Sequence, residues 1–158
     1  MEIFISDVRA CDISKIAEIE QQCFSMPWTE EQLKTQLKDS RHEFIAAYSE
    51  KGDILGYVGM MYILDEGYIS NVAVAPKYRR QGIADRIIER LCCICDKLEL
   101  SFVTLEVRAG NEAAISLYSK NGFTPVGRRK NYYDLPKEDA ILMTKFLNRG
   151  NELENTCI

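Results

Sequence analysis

Residues 79–84, RRQGIA, place two arginines, a glutamine and a glycine where an apolar run gives way to a helix-like run. A helix usually begins with Ser, Thr, Asp or Asn as its cap, and this segment has none of them. The first N–H groups of a helix lack intrahelical partners and carry about half a positive charge, so they attract anions. Because Gly82 allows close approach of the backbone and Arg79 and Arg80 add charge, the segment predicts an anion-binding loop. The alternative is a solvated turn with two incidental arginines.

The segment SFVTLEVR, residues 101–108, contains a carboxylate that could accept a proton. Its side chains alternate, so Val103, Leu105 and Val107 face one side of a predicted strand and Glu106 faces the other. A carboxylate directed away from the core can act as a general base, either directly or through a water molecule. The alternative is a surface glutamate at a strand edge.

Metal-dependent or nucleophilic chemistry has less support in the sequence. His42 is the only histidine and begins a predicted strand, so we expect it at the surface. Of the six cysteines, Cys92, Cys93 and Cys95 crowd one helix-like run, and no second Cys or His cluster completes the four ligands of a zinc site. We expect the cysteines to act as small buried hydrophobes and the protein to need no metal.

Apolar spacing predicts the elements that must position these groups. Helical spacing occurs in CDISKIAEIEQQCF, in the run that follows RRQGIA and in NEAAISLYSKNGF, and Thr29 offers a cap for a further helix. β-rich runs occupy the remaining segments, two of them joined by the turn Lys51-Gly52-Asp53. The predicted order is β-α-α-β-β-β-α-β-α-β-β, which indicates a mixed α/β sheet.

Composition limits the class of protein. The 158 residues are 46% apolar and 28% charged, so we expect one domain over residues 1–147 and a polar tail at 148–158. A net charge of −4 argues against direct nucleic-acid binding and favours a basic partner. No apolar run is long enough to span a membrane, and the start, MEIFISDVRACD, lacks a secretion signal, so we expect a cytoplasmic protein.

The spacing R-x-x-G-x-A at residues 79–84 resembles the pyrophosphate-binding loop of the GCN5-related N-acetyltransferases (GNAT), and NVAVAP before it and LEVRAGNEAAISLYSKNGF after it extend the similarity. The resemblance implies an α/β fold with one mixed, mostly antiparallel sheet, splayed between its fourth and fifth strands, and helices on both faces. It implies acetyl-coenzyme A as cosubstrate. The residues that would bind acetyl-coenzyme A are Val72, Ala73, Val74, Arg79, Arg80, Gln81, Gly82, Ile83, Ala84, Asp85, Asn111 and Tyr118.

With PWTEEQL and RRKNYYDLPKEDAILM, the similarity narrows to the ribosomal-protein-alanine N-acetyltransferases and covers roughly residues 3–146. One departure is Ala84, where many members have glycine. The family acetylates the alanine amino terminus of small-subunit ribosomal protein eighteen, which a basic stretch follows. The resemblance therefore implies an N-acetyltransferase that transfers acetyl directly, with Glu106 as base and Tyr118 as acid.

A further set of residues concerns substrate recognition. The residues that could line the path of the basic substrate are Trp28, Tyr132, Tyr133, Asp134, Glu138 and Asp139. The alternatives are a solvated acidic turn for the carboxylates, packing under the first helices for Trp28, a core aromatic at helical spacing for Tyr118, and a plain helix cap for Asn111. Competing functions are a broader N-terminal or lysine acetyltransferase, a non-catalytic coenzyme-A-binding module, and a tRNA-acetylating toxin, which the acidic balance disfavours.

Overall fold

The computed structural model describes residues 1–147, and the tail predicted at 148–158 lies outside them. The order of elements agrees with the sequence-based prediction. The helices are α1 (Ile13–Cys23), α2 (Glu30–Lys38), α3 (Ile83–Lys97) and α4 (Glu112–Lys120). The strands are β1 (Ile3–Asp7), β2 (His42–Ser49), β3 (Ile54–Ile63), β4 (Glu66–Val74), β5 (Phe102–Arg108), β6 (Thr124–Asp134) and β7 (Lys137–Phe146).

All seven strands form one sheet in the order β1-β2-β3-β4-β5-β7-β6, and only the central pair, β4 and β5, is parallel. That pair is short, because Glu66–Tyr68 lies opposite Phe102–Thr104 and the pairing then stops. The other neighbours pair over longer stretches, such as Phe102–Arg108 of β5 with β7. The sheet is therefore mixed and mostly antiparallel and parts between its fourth and fifth strands, as expected.

Helices α1 and α2 cover one face of the sheet. Ile13, Ile16 and Ile19 recur at helical spacing and are almost fully buried against β2, β3 and β4. Thr29 caps α2 as predicted, because its side chain accepts the Gln32 N–H and the Gln32 side chain accepts the Thr29 N–H. Burying each large aliphatic side chain stabilises this layer by about 1.5–3 kcal/mol.

Helices α3 and α4 cover the opposite face. The apolar stripe of α3 packs against Val103, Leu105 and Val107, which confirms the predicted alternation of β5. Cys92 and Cys95 are buried in this layer, and burial raises the pKa of the Cys95 thiol to about 12, so Cys95 acts as a small hydrophobe. Cys11, in contrast, is exposed.

A bulge interrupts β4 just beyond its paired segment. The register with β3 shifts between Gly59 and Met60, which leaves Ser70 as the extra residue of β4, and its hydroxyl donates to the Gly59 carbonyl at 3.1 Å. After the bulge, Ala73 packs in the layer of α1, whereas Val72 and Val74 pack in the layer of α3.

The expectation that His42 lies at the surface is wrong. Its side chain is 12% exposed and stacks on Phe44 with ring centroids 6.1 Å apart. Burial lowers the pKa of His42. Among residues 1–147, no helix is long and apolar enough to cross a membrane.

Candidate active site

The gap between β4 and β5 opens where the two strands stop pairing. Tyr68 and Thr104 are the last partners in the register. Beyond them, within the part of the chain that the structure describes, β4 pairs only with β3, so its backbone groups on the β5 side have no strand partner. An unpaired edge of this kind can hydrogen-bond an extended ligand as an added strand would. Val72, Ala73 and Val74 lie along this edge.

The loop before α3 has the backbone of an anion site. Arg80 and Gly82 adopt left-handed φ angles of +63° and +75°. Gly82 is the N-cap of α3, no side chain caps it, and the first helical bond runs from the Arg86 N–H to the Gly82 carbonyl at 3.3 Å. Alternating left-handed residues before an uncapped helix direct several N–H groups to one side, which favours a bound anion. Ile83 and Ala84 begin this helix.

Two charged side chains beside this loop are turned away from the helix start. The Asp85 carboxylate accepts from Lys120 Nζ at 3.3 Å and from Asn121 Nδ2 at 3.1 Å, both at the end of α4. Arg79 folds back, with Nε donating to the Val74 carbonyl at 3.2 Å and Nη2 lying 3.3 Å from Cys23 Sγ. Arg79 therefore joins the loop to β4, while Arg80 and Gln81 remain exposed.

Glu106 lies on β5 two residues beyond the last paired position. Its side chain is only 8% exposed, on the sheet face opposite to Leu105. The Tyr68 hydroxyl donates to one carboxylate oxygen, and Arg129 Nε lies 3.4 Å from the other. The carboxylate is thus oriented beside the gap. Neither partner could be predicted from the sequence, because nothing local in it joins β4 and β6 to β5.

Tyr118 lies on α4, in the layer on the other side of the sheet. It is 8% exposed and packs edge-to-face on Phe123 at 5.8 Å. Burial, and to a lesser extent the neighbouring Tyr133, raises its pKa, so the hydroxyl keeps its proton at neutral pH. Asn111 caps the same helix, with its side chain accepting the Ala114 N–H at 3.1 Å.

Arg108 fastens the turn between β6 and β7 to β5. Its guanidinium donates to the carbonyls of Pro136 at 2.8 Å and Leu135 at 3.2 Å and lies 4.3 Å from the centre of the Tyr133 ring. Glu138 completes the link, because it pairs with Arg108 at 3.3 Å and accepts the Gly110 N–H at 2.6 Å. Burial raises the pKa of Tyr133 to about 12.

The other acidic groups of this turn differ in their surroundings. Asp139 accepts from the Asn131 N–H at 2.8 Å and pairs with Arg128 at 2.7 Å, and these bonds lower its pKa. Asp134 is exposed, as is Tyr132, whose ring packs on Tyr133 at 5.0 Å. Of the three acidic residues predicted to bind the substrate, Asp134 is exposed to solvent, whereas Glu138 and Asp139 pair with arginines of the protein.

Trp28 lies in the loop between α1 and α2. Its ring packs against the core beneath these helices, as the alternative interpretation suggested, and its backbone N–H donates to Glu20 at 3.1 Å. The exposed apolar groups of this loop are Phe24, 36% exposed, and Met26, 67% exposed. Within residues 1–147, no group of three or more His, Cys, Asp or Glu side chains could hold a metal ion.

The sheet parted between β4 and β5, with an uncapped helix beside the gap, defines the acetyltransferase class. The chain matches the model of the Acetyltransferase (GNAT) family over residues 13–123, which is more than half of its length. The chain therefore belongs to the GNAT acetyltransferase family.

Relatives narrow the comparison. A ribosomal protein bS18-alanine N-acetyltransferase of Escherichia coli (strain K12) is 33% identical over 141 residues, which is 88% of this chain and 94% of the relative. The protein of the same name from Haemophilus influenzae is 33% identical over 146 residues, covering 90% and 98%. The crystal structure of the ribosomal-protein-S18-alanine N-acetyltransferase from Escherichia coli superimposes with a TM-score of 0.87 at 31% identity, covering 97% of this chain and 99% of that chain. The narrower resemblance found in the sequence is confirmed.

Proposed function

We propose that this enzyme transfers acetyl from acetyl-coenzyme A to the amino-terminal alanine of small-subunit ribosomal protein eighteen, with Glu106 as the base and Tyr118 as the acid. The observation that carries the proposal is their placement. Glu106 lies on the α1 side of the parted sheet and Tyr118 on the α4 side, so a ligand in the gap has one group on each side. The relatives, matched over 94% and 98% of their own lengths and named for this reaction, support the choice of substrate.

GNAT acetyltransferases use acetyl-coenzyme A, and the residues of this chain fit that molecule. The unpaired edge at Val72–Val74 suits the amides of the pantetheine arm, which is an extended chain with peptide-like donors and acceptors. The N–H groups of residues 82–85 suit the pyrophosphate, with Arg80 and Gln81 exposed beside them. The side-chain oxygen of Asn111 caps α4, and a contact of Asn111 with acetyl-coenzyme A remains a proposal.

The pKa of the substrate amine determines how strong a base the reaction requires. At pH 7, freeing an α-amine of pKa about 7.7–8.0 costs on the order of 1 kcal/mol, whereas freeing a lysine costs on the order of 4.6 kcal/mol. A carboxylate that acts directly or through one water molecule is therefore sufficient for an α-amine. Glu106 accepts the proton as the amine nitrogen bonds to the acetyl carbon. Arg129, 56% exposed, can turn into solvent as the amine enters.

The coenzyme thiolate, which is the leaving group, needs a proton donor. As the carbon–sulfur bond breaks, Tyr118 donates its proton to the coenzyme thiolate, and the resulting phenolate recovers a proton from solvent. Burial keeps the hydroxyl protonated beforehand. Glu106 then releases its proton to solvent, so the net change is an amide and a free coenzyme thiol, with no covalent enzyme intermediate.

The basic stretch of the substrate would pass the turn between β6 and β7. We propose that Tyr132, Tyr133 and Asp134 contact it, that Glu138 and Asp139 act mainly by holding the turn in shape, and that Trp28 supports the opposite wall. The reason is that Glu138 and Asp139 already have cationic partners, whereas Asp134 faces solvent. We propose action in the cytoplasm, where ribosomal proteins are made.

The role of Asp134 can be tested by varying the salt concentration. Asp134→Asn should lower kcat/KM for an alanine peptide rich in arginine at low ionic strength, and the difference should shrink as salt is raised, since exposed charges are screened over about 10 Å at 0.1 M salt. Asp53→Asn, in the exposed turn after β2, is the control. An effect of Asp134→Asn that ignores salt would remove electrostatic attraction from the explanation.

Peptide acetylation tests the function itself. The protein is incubated with acetyl-coenzyme A and three peptides: one beginning with free alanine and rich in arginine, the same peptide blocked at its amino terminus and given a lysine, and one beginning with a residue other than alanine. Mass spectrometry locates the acetyl group. We expect acetylation at the free alanine. Equal rates on the blocked lysine peptide would establish the broader acetyltransferase, and no transfer to any peptide would favour a coenzyme-A-binding module.

A further inference from the structure

Glu20 is a fully buried carboxylate on α1 that the proposed chemistry does not use. One of its oxygens accepts from the Tyr57 hydroxyl and from Asn71 Nδ2, the latter at 2.8 Å, and the other accepts from the Trp28 N–H at 3.1 Å. Burial raises the pKa of Glu20 in spite of these bonds. A carboxylate in such a place costs free energy that an apolar side chain would avoid, so a role beyond packing is indicated.

The three donors belong to different parts of the chain. Tyr57 lies on β3, and Asn71 lies on β4 at the bulge, directly before the edge at Val72–Val74. Trp28 belongs to the α1–α2 loop, residues 24–29. Glu20 therefore joins this loop to the strand that is proposed to bind the pantetheine arm.

The α1–α2 loop carries exposed apolar side chains next to β4. It starts next to Cys23, whose thiol lies 3.5 Å from the Val74 carbonyl, so its first residues lie beside β4. Phe24 and Met26 are exposed although they are large and apolar. Exposed apolar groups that are fixed beside a binding site commonly contact the ligand. Phe24 is the C-cap of α1, whereas Met26 lies two residues before Trp28, so the position of Trp28 constrains Met26.

We infer that Glu20 is a positioning residue for the amine substrate: through the Trp28 N–H and Asn71 it holds the α1–α2 loop in register with β4. The loop then presents Phe24 and Met26 to the first residues of the substrate while the amine reaches the acetyl group. This inference rests on the proposed function. Glu20 itself contacts neither the substrate nor acetyl-coenzyme A.

Asp12, the N-cap of the same helix, provides a matched control. It is 6% exposed at the start of α1 and, like Glu20, accepts from a tyrosine on the sheet, the Tyr48 hydroxyl, at 2.8 Å. Its other partner is Arg9, outside the α1–α2 loop. Glu20→Gln and Asp12→Asn should both destabilise the fold, but only Glu20→Gln displaces the loop.

Steady-state kinetics separate positioning from general destabilisation. We expect Glu20→Gln to raise KM for the alanine peptide by about five-fold or more, with kcat at saturating peptide and KM for acetyl-coenzyme A within about two-fold of the parent values. Asp12→Asn should leave all three parameters within about two-fold. Equal changes in both variants, or an equal rise in the two KM values of Glu20→Gln, would overturn the inference.

Trp28 is the only tryptophan of the chain, so its fluorescence reports the loop without reference to activity. Acrylamide should quench Trp28 more strongly in Glu20→Gln than in the parent protein or in Asp12→Asn. If no peptide is acetylated but quenching changes as expected, the proposed function fails and the anchoring of the loop stands. Unchanged quenching overturns the anchoring whatever the activity.

Hydrogen exchange in the unaltered protein tests the inference even if Glu20→Gln does not fold. The Trp28 amide, bonded to a buried carboxylate, should exchange much more slowly than the amide of exposed Ser25 in the same loop. Similar exchange of the two amides would contradict the inference.

Discussion

The Tyr68 hydroxyl of β4 donates to the Glu106 carboxylate of β5 across the mouth of the gap. Tyr68 is in the last paired position of β4, whereas Glu106 is two residues past its strand's last pair, Thr104. The bond thus spans the place where the strands separate and fixes the carboxylate there. Burial raises the pKa of Tyr68, and its bond to Glu106 raises it further, so Tyr68 remains a donor at neutral pH.

Glu106→Gln should lower kcat by about 10²–10⁴-fold, the usual contribution of a general base, while acetyl-coenzyme A binds with unchanged Kd. The amide keeps the shape of the side chain but cannot accept the proton. Stopped-flow kinetics measures the change in kcat, and calorimetry measures the Kd of acetyl-coenzyme A. Glu89→Gln, exposed on α3, is the control and should behave as the parent protein. Full activity of Glu106→Gln at pH 7 would exclude Glu106 as the base.

Tyr118→Phe should lower kcat by about ten-fold or more and leave the free energy of unfolding within about 1 kcal/mol, because the ring still packs on Phe123 and only the hydroxyl is lost. Rates and chemical denaturation measure the two effects. Tyr62→Phe removes a hydroxyl that donates to the Ser40 carbonyl on the surface and should change neither. A large loss of stability with kcat unchanged would make Tyr118 a packing residue.

Gly82→Ala should weaken the binding of acetyl-coenzyme A by about ten-fold, about 1.4 kcal/mol. The reason is that alanine disfavours the φ of +75° that Gly82 adopts at the helix start, so the loop must change its backbone conformation. Gly52, with a φ of +85° in the turn after β2, offers a matched control: at both positions an added Cβ would meet no atom within 4 Å. Both variants should therefore lose about 1–2 kcal/mol of stability. Calorimetry should find the loss of affinity only for Gly82→Ala, and equal affinities would place the pyrophosphate elsewhere.

Glu20 should make stability depend on pH. Its pKa is raised in the folded state, so the folded protein binds the proton more readily than the unfolded chain, and its contribution to stability is lost as pH rises through the folded pKa. The free energy of unfolding of the parent protein, relative to Glu20→Gln, should therefore increase as pH falls from neutrality toward the ordinary value of 4.5. Urea denaturation at several pH values measures the difference. A constant difference would contradict the raised pKa.

Patterns within single elements were enough to predict most of the fold. Period-two alternation in SFVTLEVR placed Glu106 away from the core, and the cap at Thr29 fixed the start of α2. The parting of β4 from β5 followed from resemblance alone. Periodicity defines which face of a strand is buried, but not where a pairing ends.

Contacts between distant segments were beyond the sequence. Nothing in the local pattern pairs Arg129 with Glu106 or Trp28 with Glu20, because each contact depends on tertiary packing. The exposure of His42 was misjudged for the same reason, since a polar residue at a strand end is buried only when a neighbour such as Phe44 covers it. The acidic residues near Tyr133 were recognised, but not that Glu138 is bound to Arg108.

The most direct test is a crystal structure of the protein with a conjugate in which coenzyme A is joined through an acetyl bridge to the α-amine of a basic peptide beginning with alanine. The alanine nitrogen should lie about 2.6–3.2 Å from a Glu106 oxygen, or one water molecule away, with the sulfur near the Tyr118 hydroxyl. The pyrophosphate should accept from the N–H groups of residues 82–85. A conjugate whose nitrogen faces away from Glu106, or that lies outside the gap between β4 and β5, would contradict the account.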